Sequence, residues 1–306
     1  LGDPDKSAGM ARASFGLANL MNRFSIPRWF MEKIIGIHRK KILPDFSFST
    51  FEQWSAKLGL TRENQKAETV LFQTCYVQHN EPQIGKDTLE VLEKNKVDCA
   101  CVKGLRCCGM PAWEQGDLET LRVNAKHNLD ILIPFVEKGS KVLVINPTCS
   151  MMMRREYTEL LDGEDRERAK KLSEAVNDPS EYLWNIRNED RFNTDVNSMP
   201  NEKISYHAPC HLRAQGIGFK GRDLIKKITG SNVKTVMECC GHDGTYAMKV
   251  EGFDASKRIG QKSFDGMKSE ESEVWATDCP LAALQFKQHA GVKPKHPMSI
   301  LAEAYR

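Results

Sequence analysis

The chain has 306 residues, 28% of them charged and 40% hydrophobic, a globular composition with room for one large domain or two of about 150 residues. Lys and Arg total 44 against 41 Asp and Glu, and a net charge of +3 excludes the strong basic surplus of a nucleic-acid binder. No run of ~18 uncharged apolar residues occurs, so no transmembrane helix is expected, and no secretory signal pattern opens the chain.

Residues 1–62 read as an N-terminal helical arm. Phe15, Leu17, Leu20, Phe24, Trp29, Phe30, Ile34, Ile35 and Ile37 recur at helical spacing among Arg and Lys, with a break expected at Pro27. Two environments suit it: packing on the body or a partner, or lying in a membrane interface, for which the Trp29-Phe30 pair and the neighbouring Lys and Arg are the usual ingredients. The chain starts at Leu1 rather than Met, which fits a processed, fused or partial N-terminus.

Residues 63–165 form the first half, in which strands and helices alternate. Glu68–Thr74 is a strand, 83–95 an amphipathic helix, Val97–Val102 a strand, 117–138 a helix and Lys141–Asn146 an apolar strand. Residues 151–202 read as charged and irregular, with short helices around Leu160 and Leu183, and 166–202 as a charged segment connecting the halves. The second half, 203–306, resumes the alternation. Lys203–Ala208, Val233–Met237 and Glu273–Thr277 are its strands, and 219–229, 255–270 and 281–289 its helices. The fold class is α/β: two pseudo-symmetric halves with parallel sheets, plus the arm.

The ten cysteines carry the strongest signal. In the first half Cys75 is followed by 31 residues, then Cys107-Cys108-Gly109, then 39 residues, then Cys149. In the second, Cys210 is followed by 28 residues, then Cys239-Cys240-Gly241, then 37 residues, then Cys279. Equivalent positions are 135, 132, 132 and 130 residues apart, which marks an internal duplication. Cys75, Cys149, Cys210 and Cys279 each follow a predicted strand, where open α/β sheets bind ligands. Each half thus offers four thiols, the usual ligand count of an iron–sulfur cluster. Structural zinc in one or both halves, a vicinal disulfide and plain buried thiols stay open as alternatives; Cys99 and Cys101, on a core strand, read as the last.

These residues resemble the CCG-type cysteine-rich domains of heterodisulfide reductase subunits. More closely they resemble the family of C subunits of anaerobic glycerol-3-phosphate dehydrogenases. The likeness runs through His38-Arg39, Leu43-Pro44, Phe46–Phe51, Gln83–Asp87, Cys107–Pro111, Pro147–Cys149, Glu156-Tyr157, Tyr206–His211, Cys239–Gly241, Gly244–Tyr246 and Thr277–Cys279. It implies an electron-transfer subunit of a multi-subunit oxidoreductase, passing electrons between a flavoprotein dehydrogenase and a quinone or other acceptor. It also implies 4Fe–4S clusters, cubane or non-cubane, with zinc in one set of some relatives.

Two departures from the family pattern stand out. Its terminal Cys-x-x-Cys is cut to one thiol at Cys149 and at Cys279, which puts catalytic disulfide cleavage in doubt. No Cys precedes Cys75, so the family's ferredoxin-like segment is expected on another subunit or outside this chain.

His207, His211, His242 and His79 flank the thiols and are candidates for hydrogen bonds to bound sulfur. Lys103, Arg106, Arg154 and Arg213 are candidates for offsetting thiolate charge. Gln215-Gly216-Ile217-Gly218 lacks the dinucleotide fingerprint, so no nicotinamide site is expected. A cytoplasmic protein, at most peripheral on the inner face of a membrane, completes the reading.

Overall fold

The structure is a computed structural model that describes residues 3–63, 66–197 and 202–306. Leu1 and Gly2 of the predicted arm, 64–65 of the predicted first half and 198–201 of the connecting segment lie outside the described residues.

Among the described residues seven strands build two sheets, and within them every strand pairing is parallel. β1 (Thr69–Phe72), β2 (Cys99–Cys101), β3 (Lys141–Val144) and β4 (Val176–Asn177) lie in the order β2-β1-β3-β4. β5 (Lys203–His207), β6 (Asn232–Val236) and β7 (Val274–Thr277) lie in the order β6-β5-β7. In each half the first strand takes the centre, the second pairs on one side and the third on the other. The chain therefore reverses its direction of travel between β1 and β3, and again between β5 and β7; these are switch points of strand order. The central strands are covered on both faces, which explains why Thr69–Phe72 is buried at every position.

The arm consists of α1 (Pro4–Ala13), α2 (Leu17–Met21) and α3 (Ser25–Ile35). Pro27 does not break it. It sits in the first turn of α3, where the missing N–H has no intrahelical partner to lose. The interruptions fall instead at Phe15-Gly16, both with positive φ, and around Phe24. α4 (Phe51–Lys57) is opened by a reciprocal Thr50–Gln53 capping box.

Helices follow each strand. α5 (Thr74–His79) and α6 (Pro82–Lys94) come after β1, and α7 (Met110–Trp113) and α8 (Leu118–Val136) after β2. α9 (Pro147–Met151) passes through a π turn at Met152–Glu156 into α10 (Tyr157–Leu160). α11 (Gly163–Ala175) and α12 (Pro179–Asn185) flank β4, so the charged segment read as irregular carries a long helix and a strand. The second half adds α13 (Cys210–Gln215), α14 (Lys220–Thr229), α15 (Val250–Ser269), α16 (Pro280–Ala290) and α17 (Pro297–Tyr305).

Alternation along the central strands sets the layers. Val70 and Phe72 face a core shared with α8, α10 and α11. Leu71 faces the other way, into one core with Ile204 and Tyr206 of β5 and with side chains of α6, α12, α14 and α17. A helical layer is thus common to both sheets. The C terminus ties the halves together: Tyr305 donates to the Asn193 carbonyl (2.6 Å), and Arg306 pairs with Asp87 and Glu90 on α6. Both sheets are held with their strand ends toward one place.

Asp178, at the start of α12, is buried and its Oδ1 has no partner. Burial pushes its carboxyl up to about 7, against the opposing pull of Arg154. Because the folded-state value lies above the unfolded one, its contribution to stability is full below about pH 4 and is lost as pH rises through about 7. Asp178→Asn is expected to flatten that fall and to exceed the parent in urea midpoint at pH 8. A midpoint that stays below the parent's at pH 8 contradicts this account.

Candidate metal-thiolate centre

Four thiols stand at equivalent points of the duplicated topology. Cys75 is in the first turn of α5, Cys149 in α9, Cys210 opens α13, and Cys279 is the N-cap of α16, accepting from the Ala282 amide (3.5 Å). Each lies just past the C-terminal end of a central or third strand, beside a switch point. Unpaired amides at a helix start stabilise a thiolate. The backbone before Cys75 is strained: Thr74, β-branched and buried, has φ of 69°.

The adjacent cysteines come from the loops after β2 and β6. In the first set the thiols touch in a row. Cys75 and Cys108 both donate toward Cys107, and Cys108 also meets Cys149. Those donors pull the Cys107 thiol well below its ordinary range, while Cys75 and Cys108 are pushed up. The loop is braced by Tyr157, whose buried hydroxyl donates to the Cys108 carbonyl (2.9 Å). It is also braced by Asp5 of α1, which accepts from the Cys107 amide (2.8 Å).

In the second set Cys239 donates toward Cys210, which Arg213 also contacts through Nη2 (3.3 Å); together they bring the Cys210 thiol down to about 5. Cys240 and Cys279 are buried, and burial raises them to about 12 and about 11. The second CCG loop is held from behind by a chain of bonds. Lys41 Nζ donates to Gln285 Oε1 (2.6 Å), Gln285 Nε2 to Ser256 Oγ (2.7 Å), and Ser256 Oγ to the Gly241 carbonyl (2.5 Å).

The two sets meet. One cavity of about 410 Å³ is lined by Cys75, Cys107, Cys108, Cys149, Cys210, Cys240 and Cys279; Cys239, also predicted as a ligand, does not line it and reaches it only through its bond to Cys210. Cys149 of the first set and Cys279 of the second both line the cavity, so a thiolate at one would disfavour a thiolate at the other. Cys99 and Cys101 lie on β2 and do not line the cavity; burial raises the Cys101 thiol to about 12.

All four predicted histidines line the cavity, with different freedom. His207 is held by Thr277 Oγ1 (3.1 Å) and the Glu238 carbonyl (3.2 Å), and burial lowers it to about 4. His79 bridges Asp5 (2.9 Å) and Arg12 (2.8 Å), pinning α1 across the first set. His211 Nδ1 bonds Thr148 Oγ1 (2.8 Å), joining the halves, and burial lowers its pKa. His242 is half-buried, its Nε2 is fully enclosed with no partner, and burial, then the charge of Lys41, brings it down to about 3.

Of the predicted cations only Arg213 reaches a thiol. Arg154 is engaged by Glu181, Gln215 and the Val176 carbonyl, and Lys103 and Arg106 do not line the cavity. Sequence reading missed Asp5, Lys41 and Tyr157, whose roles depend on contacts made far along the chain.

The donor set fits an iron–sulfur cluster: seven thiols around one cavity and an orphaned imidazole nitrogen in its wall. Among the described residues no three His, Cys, Asp or Glu side chains gather around a point as one metal ion requires. A cluster spreads its ligands over several irons.

A family model for the Cysteine-rich domain, CCG, matches this chain twice, over residues 69–154 and 204–287, more than half its length. The chain belongs to the CCG cysteine-rich domain family. Each match spans one complete thiol set; the first covers β1 to β3 and leaves out β4. A protein of similar sequence is the C subunit of anaerobic glycerol-3-phosphate dehydrogenase from Escherichia coli K12, 28% identical over 279 residues, which cover 90% of this CCG chain and 69% of that protein. Lactate utilization protein A 2 of Bacillus cereus AH820 is 29% identical over 186 residues, covering 59% of this CCG chain and 74% of the relative.

Proposed function

We propose that the two cysteine sets hold iron–sulfur clusters and that the chain is the electron-transfer subunit of a multi-subunit oxidoreductase. It would carry electrons between a flavoprotein dehydrogenase partner and a quinone or other acceptor. The observation that carries this reading is the single cavity ringed by thiols from both halves. Its support from outside the chain is that one relative is a dehydrogenase subunit. Bound clusters would supply one-electron carriage between set and partner.

The chain's own residues do the rest. Helix N-termini favour the thiolates, Arg213 offsets charge at Cys210, and Lys41 places a buried positive charge behind Cys240. α1, pinned by Asp5 and His79, contributes Pro4 and Ser7 to the cavity wall beside the first set. His242 Nε2 can donate a hydrogen bond to a bound sulfur and so stabilise the reduced, more negative state.

Protein prepared without oxygen should be brown, contain iron and acid-labile sulfide, and give paramagnetic signals on reduction. Stoichiometric zinc without iron would sink the proposal. Lys41→Met is expected to move the second set's midpoint potential negative, on the order of 60 mV for a tenfold change in the one-electron equilibrium. Lys41→Arg, which keeps the charge, should hold it; an unmoved potential in Lys41→Met refutes the role.

A second reading, a disulfide or quinone reductase with substrate in the cavity, is favoured by the unpartnered His242 and the apolar Met110 and Trp113 in its wall. Turnover of either substrate by the chain without partners would select it. For location, we propose a cytoplasmic chain attached peripherally, to a membrane's inner face or to a partner subunit. No helix among the described residues is long and apolar enough to cross a membrane. The arm presents Phe15, Ile26, Phe30 and Ile34 to solvent, an apolar face suited to such attachment.

A further inference from the structure

A second cavity, of about 370 Å³, lies on the other side of Lys41, between the arm and α16. Its wall is overwhelmingly basic. Arg28 and Lys41 are 4% and 6% exposed, and the rim carries Arg23, Arg39, Lys40, Lys287 and Lys293. Against these seven cations stand Asp45 and Glu81 in the wall and Glu32, which pairs with Arg39, behind it; seven less three leaves a surplus of four.

The two deepest cations have no carboxylate bonded to them among the described residues. Arg28 gives its N–H groups to the carbonyls of His38, Arg39 and Lys41 and to Met31 Sδ. Lys41 gives its hydrogen bond to neutral Gln285. Burial lowers the pKa of both, the Lys41 ammonium to about 8. Glu32 acts on Arg28 and Cys240 on Lys41 without bonding them, and a charge taken out of water without a bonded counter-ion is costly; here two are held together by a folded turn rather than released to solvent. Arg23, Arg39 and Lys293 each have a carboxylate partner, whereas Lys40 and Lys287 are exposed with no ion pair among the described residues.

We propose that this cavity binds a phosphate-bearing anion. Arg28 and Lys41 supply positive potential at the floor, and Lys40 and Lys287, with the free N–H groups of Arg23 and Arg39, supply hydrogen bonds at the rim. Compact, multiply charged oxyanions suit such a ring of donors. The site uses no cysteine and does not depend on the clusters proposed above. Two sources present the same chemistry: a soluble phosphate and the headgroup of an anionic lipid.

The test is titration calorimetry of the whole chain with inorganic phosphate at low ionic strength, alongside flotation with vesicles of phosphatidylcholine with or without phosphatidylglycerol. Saturable one-to-one binding is expected, with sodium chloride at matched ionic strength giving none. Lys40→Glu with Lys287→Glu reverses two exposed charges, takes the surplus of four to zero, and should weaken phosphate at least tenfold. Lys287→Gln alone, the milder change, should weaken it by a smaller factor. Vesicle binding that phosphate competes away and the double variant abolishes identifies the headgroup as the source; phosphate binding without vesicle binding identifies a soluble anion. No saturable phosphate binding, or binding that both variants leave unchanged, overturns the proposal.

Discussion

Cys240→Ser is expected to lower the iron content to about half that of the parent while altering, without abolishing, the paramagnetic signal that remains. Cys240 belongs to the set drawn from the loop after β6, and its nearest thiol neighbours, by their effect on it, are Cys279 and Cys210. The first set is complete without it: Cys75, Cys107, Cys108 and Cys149 touch one another in sequence and are braced by Tyr157 and Asp5. Loss should therefore be confined to one set. It should nevertheless be felt by the other, because both line one cavity.

Cys101→Ser supplies the control, since Cys101 is equally buried but lies on β2 away from the cavity. It should leave iron unchanged. If Cys240→Ser removes all iron, the two sets form one indivisible site. If it removes none, Cys240 is not a ligand. Iron and sulfide assays on protein purified without oxygen distinguish these outcomes.

The duplicated cysteine spacing made both halves visible before any coordinates, because each set is tied to strand ends and strand ends recur with the topology. The strands themselves were legible from short apolar runs such as Val70–Phe72 and Lys141–Val144. The short helices that carry the thiols, α5, α9 and α13, were not: at five or six residues they are too brief for a 3.6-residue period to register. The two-residue strand β4 was hidden for the same reason. Pro27 misled because proline is tolerated in a helix's first turn and costly in its middle, and sequence alone did not locate the start of α3. Asp5 and Lys41 carried no local signal: Asp5 reaches Cys107 across 102 residues, and Lys41 reaches Gln285 across 244. The meeting of the two sets in one cavity was likewise a property of the helical layer shared by the sheets rather than of either cysteine pattern.

The glycine that ends each CCG motif shows how far equivalence in sequence departs from equivalence in energy. Both are left-handed, Gly109 at φ 94° and Gly241 at φ 72°, and an alanine there costs about 1–2 kcal/mol from the backbone alone. Their surroundings differ. A Cβ on Gly109 would meet the Leu121 side chain at 3.0 Å, and a leucine can shift its rotamer. A Cβ on Gly241 would overlap the backbone carbonyl of Ser256 and stand 3.0 Å from the amide nitrogen of Gly260, both on α15. Backbone cannot step aside without moving the helix, and Gly260 is itself pressed against the Cys240 carbonyl. Ser256 is also the residue whose hydroxyl fixes the Gly241 carbonyl and links it to Gln285 and Lys41. Gly241→Ala is therefore expected to destabilise the protein by more than about 4 kcal/mol and to empty the second set of iron, with Gly109→Ala costing about 1–3 kcal/mol and retaining the first. Urea unfolding of oxygen-free protein, read with the iron content, measures both. Equal losses at the two glycines would mean that α15 does not clamp the second loop.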